Sequence, residues 1–366
     1  LLAGLFEAVP SPLIAIGNGV VENVPTAVER WAISVFGTAD KAALAVGTVV
    51  IALVVGWFAG LASLRRIWVG PAVFAAFGLL GAAAGWGEPE ASAVPLVGAT
   101  LVAAGSGAGL LAVMLDAVRR SEKADPDDTI AADAGRRRFL AIAGAGSAVA
   151  VGAGVVGRSV LGTVPAPPQV AFGPSAAPVV GPEYELGIDG LSPVVTPNDE
   201  FYRIDTALAI PSIDPESWSM RIHGLVEREL TITYEDLTSA DLMNRYVTIT
   251  CVSNKVGGGL VGNARWTGIP LAGVLEEAGV ERTGTQVVGR SRDGWTCGFP
   301  IEAVFDGREP LIAVGMNGEV LPRRHGFPAR LIVPGLYGYV SATKWLREIE
   351  ITGWDDFDAY WVPRGW

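Results

Sequence analysis

Only two cysteines, Cys251 and Cys297, occur in the 366 residues, which excludes a scaffold built on disulfides. Histidine is as scarce, and both copies, His223 and His325, fall in the C-terminal half. A helical bundle in the N-terminal half therefore has no imidazole to hold a haem iron between facing helices, and any electron partner is another molecule. A basic excess is missing too: 27 Lys and Arg against 38 Asp and Glu leave a net charge of −11, which argues against nucleic acid as a partner. Charge is absent from three long stretches, Ala42 to Leu64, Ile67 to Trp86 and Ala93 to Leu115. Without ionisable side chains inside them, these stretches cannot line an ion or proton path.

What is present explains the positive mean hydropathy of +0.39. A bilayer crossing needs ~20 mostly apolar residues, and each of the three stretches is long enough. Arg65 and Arg66 separate the first two, Glu88 and Glu90 lie between the second and third, and Arg119, Arg120 and Lys123 follow the third. Basic loops stay on the cytoplasmic side, so the two arginine clusters lie inside and the acidic loop outside. Leu1 to Val21 reads as the tail of a further apolar segment. Glycines such as Gly56 and Gly60 in the first span predict close helix packing. Transmembrane helices are thus expected over residues 1–120. An acidic, irregular connector and a weakly apolar anchor helix follow over 121–161, then a proline-rich spacer over 162–183 and a folded domain over 184–366.

The last region has strand signals at Ser219–His223, Glu229–Thr233, Tyr246–Val252, Gln286–Arg290, Leu311–Val314, Arg330–Val333 and Trp345–Ile351. Short helices are expected at Tyr234–Leu237, Leu271–Ala278 and Ile301–Val304, and Asn317-Gly318 predicts a hairpin. Strands with few long helices between them indicate an α+β domain.

Tyr246 to Leu271 is the stretch on which function turns. Val247, Ile249 and Cys251 alternate with Thr248 and Thr250, so the cysteine ends a strand and hands over to a loop containing Gly257, Gly258 and Gly259. A cysteine there is either a small buried apolar group or a thiolate ligand to a soft metal. The three glycines either cradle a phosphate or form a simple turn. Arg323, Arg324, His325 and Arg330 crowd one turn of an otherwise acidic chain, a pattern suited to an anion. Cys297 reads as packing.

Three blocks carry a resemblance: Cys251-Val-Ser-Asn254, then Ala264-Arg265-Trp266-Thr-Gly268, then Arg324-His325-Gly326-Phe327-Pro328-Ala-Arg330 continuing to Pro334-Gly335. In this order they resemble the sulfite-oxidase family of molybdopterin enzymes over roughly Thr196 to Trp366. With the apolar stretches before it, the chain is expected to form an all-α transmembrane bundle followed by an α+β domain, which the resemblance implies is molybdopterin-binding. The resemblance implies oxygen-atom transfer at a molybdenum bound by the Cys251 thiolate, a small-molecule oxo substrate and a separate electron-transfer partner. His325, Arg330 and Lys344 match the family's cofactor-binding positions. Thr196-Pro197-Asn198-x-x-Phe201 matches another block, which makes Asn198 a cofactor contact and Arg203 a candidate for an anionic substrate. The family's next two residues, Asn-His, are here Ile204-Asp205. Asn263 and Arg265 are expected as supporting contacts.

Two departures bear on substrate. The family's tyrosine before Met-Asn-Gly is here Gly315, which predicts a roomier pocket less suited to sulfite. The methionine-sulfoxide reductases of the family place a glutamate where Ser253 stands. A reductase of that type, or a membrane-tethered binding module that kept the fold without turnover, are the alternatives. Family members often continue into an immunoglobulin-like dimerisation domain, which the residues up to Trp366 do not include. Finally, Arg136-Arg137-Arg138-Phe139-Leu140 with its Ala/Gly/Val run to Gly157 resembles a twin-arginine export signal, or else caps the cytoplasmic end of a fourth span. Export of a folded, cofactor-loaded domain would place the catalytic half outside the cell membrane.

Overall fold

The computed structural model describes residues 9–36, 39–88, 91–122, 129–162 and 180–365, together with 3, 167, 168, 170 and 172. The chain forms two compact units, Leu1–Thr163 and Val164–Trp366.

The first unit is helical: α1 (Pro12–Asn23), α2 (Thr26–Phe36), α3 (Asp40–Arg65), α4 (Val69–Trp86), α5 (Ala93–Glu122) and α6 (Thr129–Gly162). Within these, Asp40–Arg65, Val69–Trp86, Ala93–Arg120 and Arg136–Gly157 are long and apolar enough to cross a bilayer. Their apolar side chains, among them Leu53, Trp57, Leu79 and Val151, are exposed, which suits an apolar solvent. Small residues do bring helices together, but not those expected. Gly56 and Gly60 face open space, whereas a Cβ on Gly70 would lie 2.3 Å from Leu111 and one on Gly107 would lie 2.3 Å from Phe74. The close approach is therefore between α4 and α5. The connector expected to be irregular is helical from Thr129, because Ala131, Ala132 and Ala134 are strong helix formers; residues 123–128 lie outside the described ones.

The second unit is α+β. Its strands are β1 (Ser219–Gly224), β2 (Leu230–Thr233), β3 (Met243–Thr250), β4 (Val261–Pro270), β5 (Gln286–Ser291), β6 (Thr296–Pro300), β7 (Leu311–Met316), β8 (Glu319–Val320), β9 (Arg330–Ile332) and β10 (Leu346–Thr352). Its short helices are α7 (Tyr234–Ser239), α8 (Leu271–Ala278), α9 (Glu302–Phe305) and α10 (Gly338–Ser341). One sheet runs β2-β1-β10-β5-β6; the other runs β3-β4-β7-β8, with β9 also on β7. β1 and β10 pair in parallel, and the other strand pairs are antiparallel. Two apolar clusters form the core: the larger, holding Met220, Ile222, Val287, Phe299 and Ile349 of one sheet with Ile312, Val314 and Leu331 of the other, and the smaller, holding Val247, Ile249, Trp266 and Leu311. α8 buries Leu271, Val274, Leu275 and Ala278, one helical face, and ends at Gly279 in the left-handed conformation (φ 71°).

Two strands lie where none was expected. β4 fills the stretch read as loop: Gly262, Ala264 and Trp266 are buried in alternation with Val261, Asn263 and Arg265. Glycine, asparagine and arginine disguise that period, and pairing with β3 and β7 supplies what local propensity lacks. β6 carries the buried Cys297, whose Sγ lies 2.9 Å from Thr343 Oγ1, as befits packing. The hairpin forms at Asn317 and Gly318, both with positive φ (56° and 86°), joining β7 to β8. Within the proline-rich stretch, Val170 and Phe172 pack against the larger core.

Candidate active site

Cys251 follows directly on β3 and is partly buried, with its thiol free. Its backbone is pinned on both sides. The Cys251 N–H donates to Leu260 O (2.9 Å), and Cys251 O accepts from Asn254 N (2.9 Å). The Asn254 side chain closes the loop by accepting from Leu260 N (2.9 Å). The Cys-Val-Ser-Asn block is thus a turn that presents the sulfur from a fixed strand end. Gly257 takes a positive φ of 74°, and Gly258 sits against Asn254, so these glycines serve that turn.

The second wall is the turn Arg323–His325, which leads through Gly326 to β9. His325 is buried, and its Nε2 lies 2.6 Å from Asn198 O. A carbonyl only accepts, so Nε2 carries the proton and Nδ1 keeps a lone pair. Burial holds His325 down to about 4, against the Asn198 hydrogen bond and with help from Arg330, Arg324 and Lys344, so the ring is neutral at pH 7. Asn198 is held in turn by the hairpin: its Oδ1 accepts from Asn317 Nδ2 (2.9 Å), and its Nδ2 donates to Met316 O (3.3 Å). Asn317 also donates to Thr196 O (2.9 Å). The Met-Asn-Gly hairpin thereby carries the Thr196–Asn198 block, which positions His325.

Arg330 is 5% exposed. Its Nη1 donates to His325 O (2.9 Å), and its guanidinium lies 4.9 Å from the Trp266 ring centre. Its Nε is buried without a partner, as is that of Arg324. Desolvation lowers Arg330 to about 10. A buried guanidinium with an unmet donor is costly unless an anion meets it.

Phe201 joins the parts. Its ring stacks on Tyr202 (5.4 Å) and meets Trp266 and His325 edge-on (5.7 and 5.6 Å). Burial pushes the Tyr202 phenol up to about 12; Arg330 opposes that rise and Cys251 adds to it, so the phenol lies within electrostatic reach of each. Tyr202 carries no sequence signal beyond its place after Phe201, and the sequence reading passed over it.

Arg203 and Lys344 share one carboxylate. Both are bound by Asp205: Lys344 Nζ to Oδ2 (2.7 Å), Arg203 Nε to Oδ2 (2.7 Å) and Arg203 Nη2 to Oδ1 (3.2 Å). Burial brings Lys344 down to about 8, with Asp205 opposing. Asn263 donates from Nδ2 to Val194 O (2.7 Å) and accepts from Thr248 Oγ1 (3.3 Å), so its amide serves the strands. The Arg265 guanidinium lies against Gly318 of the hairpin. The room expected beside Gly315 is taken, since a Cβ there would lie 2.6 Å from the Phe172 ring and 3.0 Å from Thr267 Cβ.

These residues suit an anionic cofactor bearing a soft metal. Cys251 offers sulfur, Arg324 and Arg330 offer unmet guanidinium donors, and His325 offers a neutral acceptor. Among the described residues, no group of three His, Cys, Asp or Glu forms a metal site, so such a metal would take most of its ligands from the cofactor.

The family profile for the oxidoreductase molybdopterin binding domain matches residues 207–361. The uncharacterized oxidoreductase YuiH of Bacillus subtilis (strain 168) is 31% identical over 153 residues, 42% of this chain and 74% of that protein. The mitochondrial sulfite oxidase of Drosophila melanogaster is 31% identical over 188 residues, 45% of this chain and 32% of that enzyme, so only about a third of its length is matched. The crystal structure of the sulfane dehydrogenase SoxCD from Paracoccus pantotrophus is similar over 47% of this chain and 46% of that chain, at 28% identity and a TM-score of 0.42.

Proposed function

Because this chain belongs to the sulfite-oxidase family of molybdopterin oxidoreductases, we propose that it is a membrane-anchored member that transfers oxygen atoms at a molybdenum held by Cys251 outside the cytoplasm. The observation that carries the reading is the free thiol of Cys251, its backbone pinned at a strand end and its sulfur within electrostatic reach of Tyr202. When bound, the cofactor supplies a two-electron couple and an exchangeable oxygen.

The chain's own residues do the rest. The Cys251 thiolate is the protein's bond to the metal, and its pinned backbone limits how far the sulfur can move. Arg330 and Arg324 meet the anionic groups, each with an Nε that has no other partner. His325, neutral and fixed by Asn198 O, would offer an acceptor nitrogen to the cofactor without adding charge. Phe201 and Trp266, beside His325 and Arg330, close the apolar side of the site. Electrons go to or come from a separate carrier, since the two histidines both lie in the second unit.

The helices fit an anchor. With Arg65, Arg66, Arg119 and Arg120 on the cytoplasmic side, Arg136–Arg138 begin a fourth crossing from that side, and everything after it emerges on the other.

The test is elemental analysis of the detergent-solubilised full chain and its Cys251→Ser variant, with sulfite oxidation and sulfoxide reduction assayed on both. Wild type should carry molybdenum near one per chain, and the variant should lose oxygen transfer by at least ~100-fold. Equal turnover in the two sinks the thiolate role.

A further inference from the structure

Helix α2 (Thr26–Phe36) has 11 residues and leaves its large apolar side chains uncovered. Val28, Trp31, Val35 and Phe36 are all exposed, Trp31 at 59%, and the Trp31 and Phe36 rings meet edge-on at 6.3 Å. By the helical period these four and Ala32 share one arc. Thr26, Arg30 and Ser34 take the opposite arc with Ala27 and Ile33, and Glu29 falls at the border. A helix shorter than ~12–15 residues is marginal in water by itself, and β-branched Val28, Ile33 and Val35 do not help it. Its apolar arc needs a cover.

Both ends of α2 are fixed at one level of the bundle. After it, α3 (Asp40–Arg65) is about 39 Å long, enough to cross the ~30 Å apolar core, which leaves Asp40 at the polar boundary opposite Arg65 and Arg66. Phe36 to Asp40 spans at most about 14 Å, so α2 ends close to that boundary. Before it, α1 (Pro12–Asn23) is tied to the far end of α4. Asn18 Nδ2 donates to Glu88 Oε1 (2.8 Å), and a Cβ on Gly85 would lie 3.1 Å from Pro10 Cγ. That end of α4 also lies opposite Arg65 and Arg66, and Val24 and Pro25 alone separate α1 from α2.

We infer that α2 is a lipid-binding element: it lies along the membrane–water boundary on the side away from Arg65 and Arg66, with Val28, Trp31, Val35 and Phe36 among the upper acyl chains. The inference rests on the membrane reading of α3 and α4. Glu29 and Arg30 cancel in formal charge, as do Asp40 and Lys41. The apolar arc therefore carries the binding, attraction to anionic headgroups does not, and a zwitterionic phospholipid suffices. Tryptophan suits that depth, with an apolar ring and an N–H that reaches water.

The test is spin labelling of the full chain in phosphatidylcholine nanodiscs. The background is Cys251→Ser, and the buried Cys297 does not label. Single cysteines go in as Val28→Cys, Trp31→Cys or Val35→Cys on the apolar arc, and as Ala27→Cys, Arg30→Cys or Ser34→Cys on the other. Leu53→Cys, on the exposed face of α3, is the control. Collisions of each label with dissolved oxygen and with a water-soluble nickel chelate give its depth. Labels at 28, 31 and 35 should lie about 5–10 Å below the headgroup boundary, and those at 27, 30 and 34 should lie in water. Each α2 position is read on its own, so a single misfolded variant decides nothing. Labels in water at every α2 position overturn the inference. Shielding from both oxygen and nickel does so too, because protein then covers the arc, as does a pattern that needs anionic lipid. The Leu53 label separates the two readings: deep in the bilayer while α2 is in water, it overturns this inference alone, whereas in water it overturns the membrane reading as well.

Discussion

His325 shows how a single side chain can be read twice. In the sequence it is one more cation in a basic turn, flanked by Arg324 and shortly followed by Arg330. In the fold it is a buried neutral ring whose Nε2 donates to Asn198 O. Burial next to several guanidinium and ammonium groups makes protonation expensive, so the folded histidine takes up a proton only near 4 whereas a free one does so at 6.5. Between these values the unfolded chain binds more protons than the folded one, and acid favours unfolding. The stability His325 contributes is complete above pH 6.5 and drains away as pH falls toward 4, by on the order of 3 kcal/mol. Melting curves of the full chain from pH 7 to 4 should therefore be steeper for wild type than for His325→Gln, which can still donate to Asn198 O. Parallel curves would mean the ring is not buried neutral.

Strand β4 is the element on which the second unit depends, and it was invisible beforehand. Its inward positions are Gly262, Ala264, Trp266 and Gly268, chosen for fit and not for hydrophobicity. Gly268 lets β4 approach β7, since a Cβ there would lie 2.1 Å from Ile312 O and 2.7 Å from Ala313 Cα. Backbone cannot swing aside as a side chain can. Gly268→Ala should therefore cost at least about 2 kcal/mol and lower the melting temperature by several degrees. Gly273, inside α8, has nothing within 4 Å of its Cβ position, and Gly273→Ala should gain about 0.5–1 kcal/mol. Thermal melts of the two variants should move in opposite directions. α8 itself was legible from its spacing because Leu271, Val274, Leu275 and Ala278 are all apolar. β4 was not, because Gly262, Ala264 and Gly268 leave no hydrophobic period to read and its partner β7 lies far along the chain.

At the scale of the whole molecule, the proposed membrane anchor raises the question of which side of a bilayer the second unit would face. The helices supply length and apolarity, and the arginines supply the sign. Arg136 and Arg137 can act as an export signal or as plain positive charge, and lysine separates the two because it keeps the charge. In spheroplasts of the expressing cells, external protease should digest residues 180–365 of wild type and leave those of the Arg136→Lys, Arg137→Lys double variant protected. Equal digestion of both would reduce the arginines to anchors, and protection of both would place the unit inside.

By itself the sequence determined the two-part plan, the three charge-free stretches, most strands of the second unit and the residue types in the site: sulfur, imidazole and guanidinium. These are properties of local order, because hydrophobic period, run length and turn chemistry are set by neighbours in the chain. Tertiary structure decided which charges remain available. Arg203, Lys344 and Arg330 look alike in sequence, yet two of them close on Asp205 while the third is buried with an unmet donor. It also decided that Phe172 fills the space beside Gly315 and that Gly56 and Gly60 meet nothing. Those outcomes depend on which distant segments the sheets and helices bring within a few ångströms, and pairing across such distances leaves no period in the chain to read.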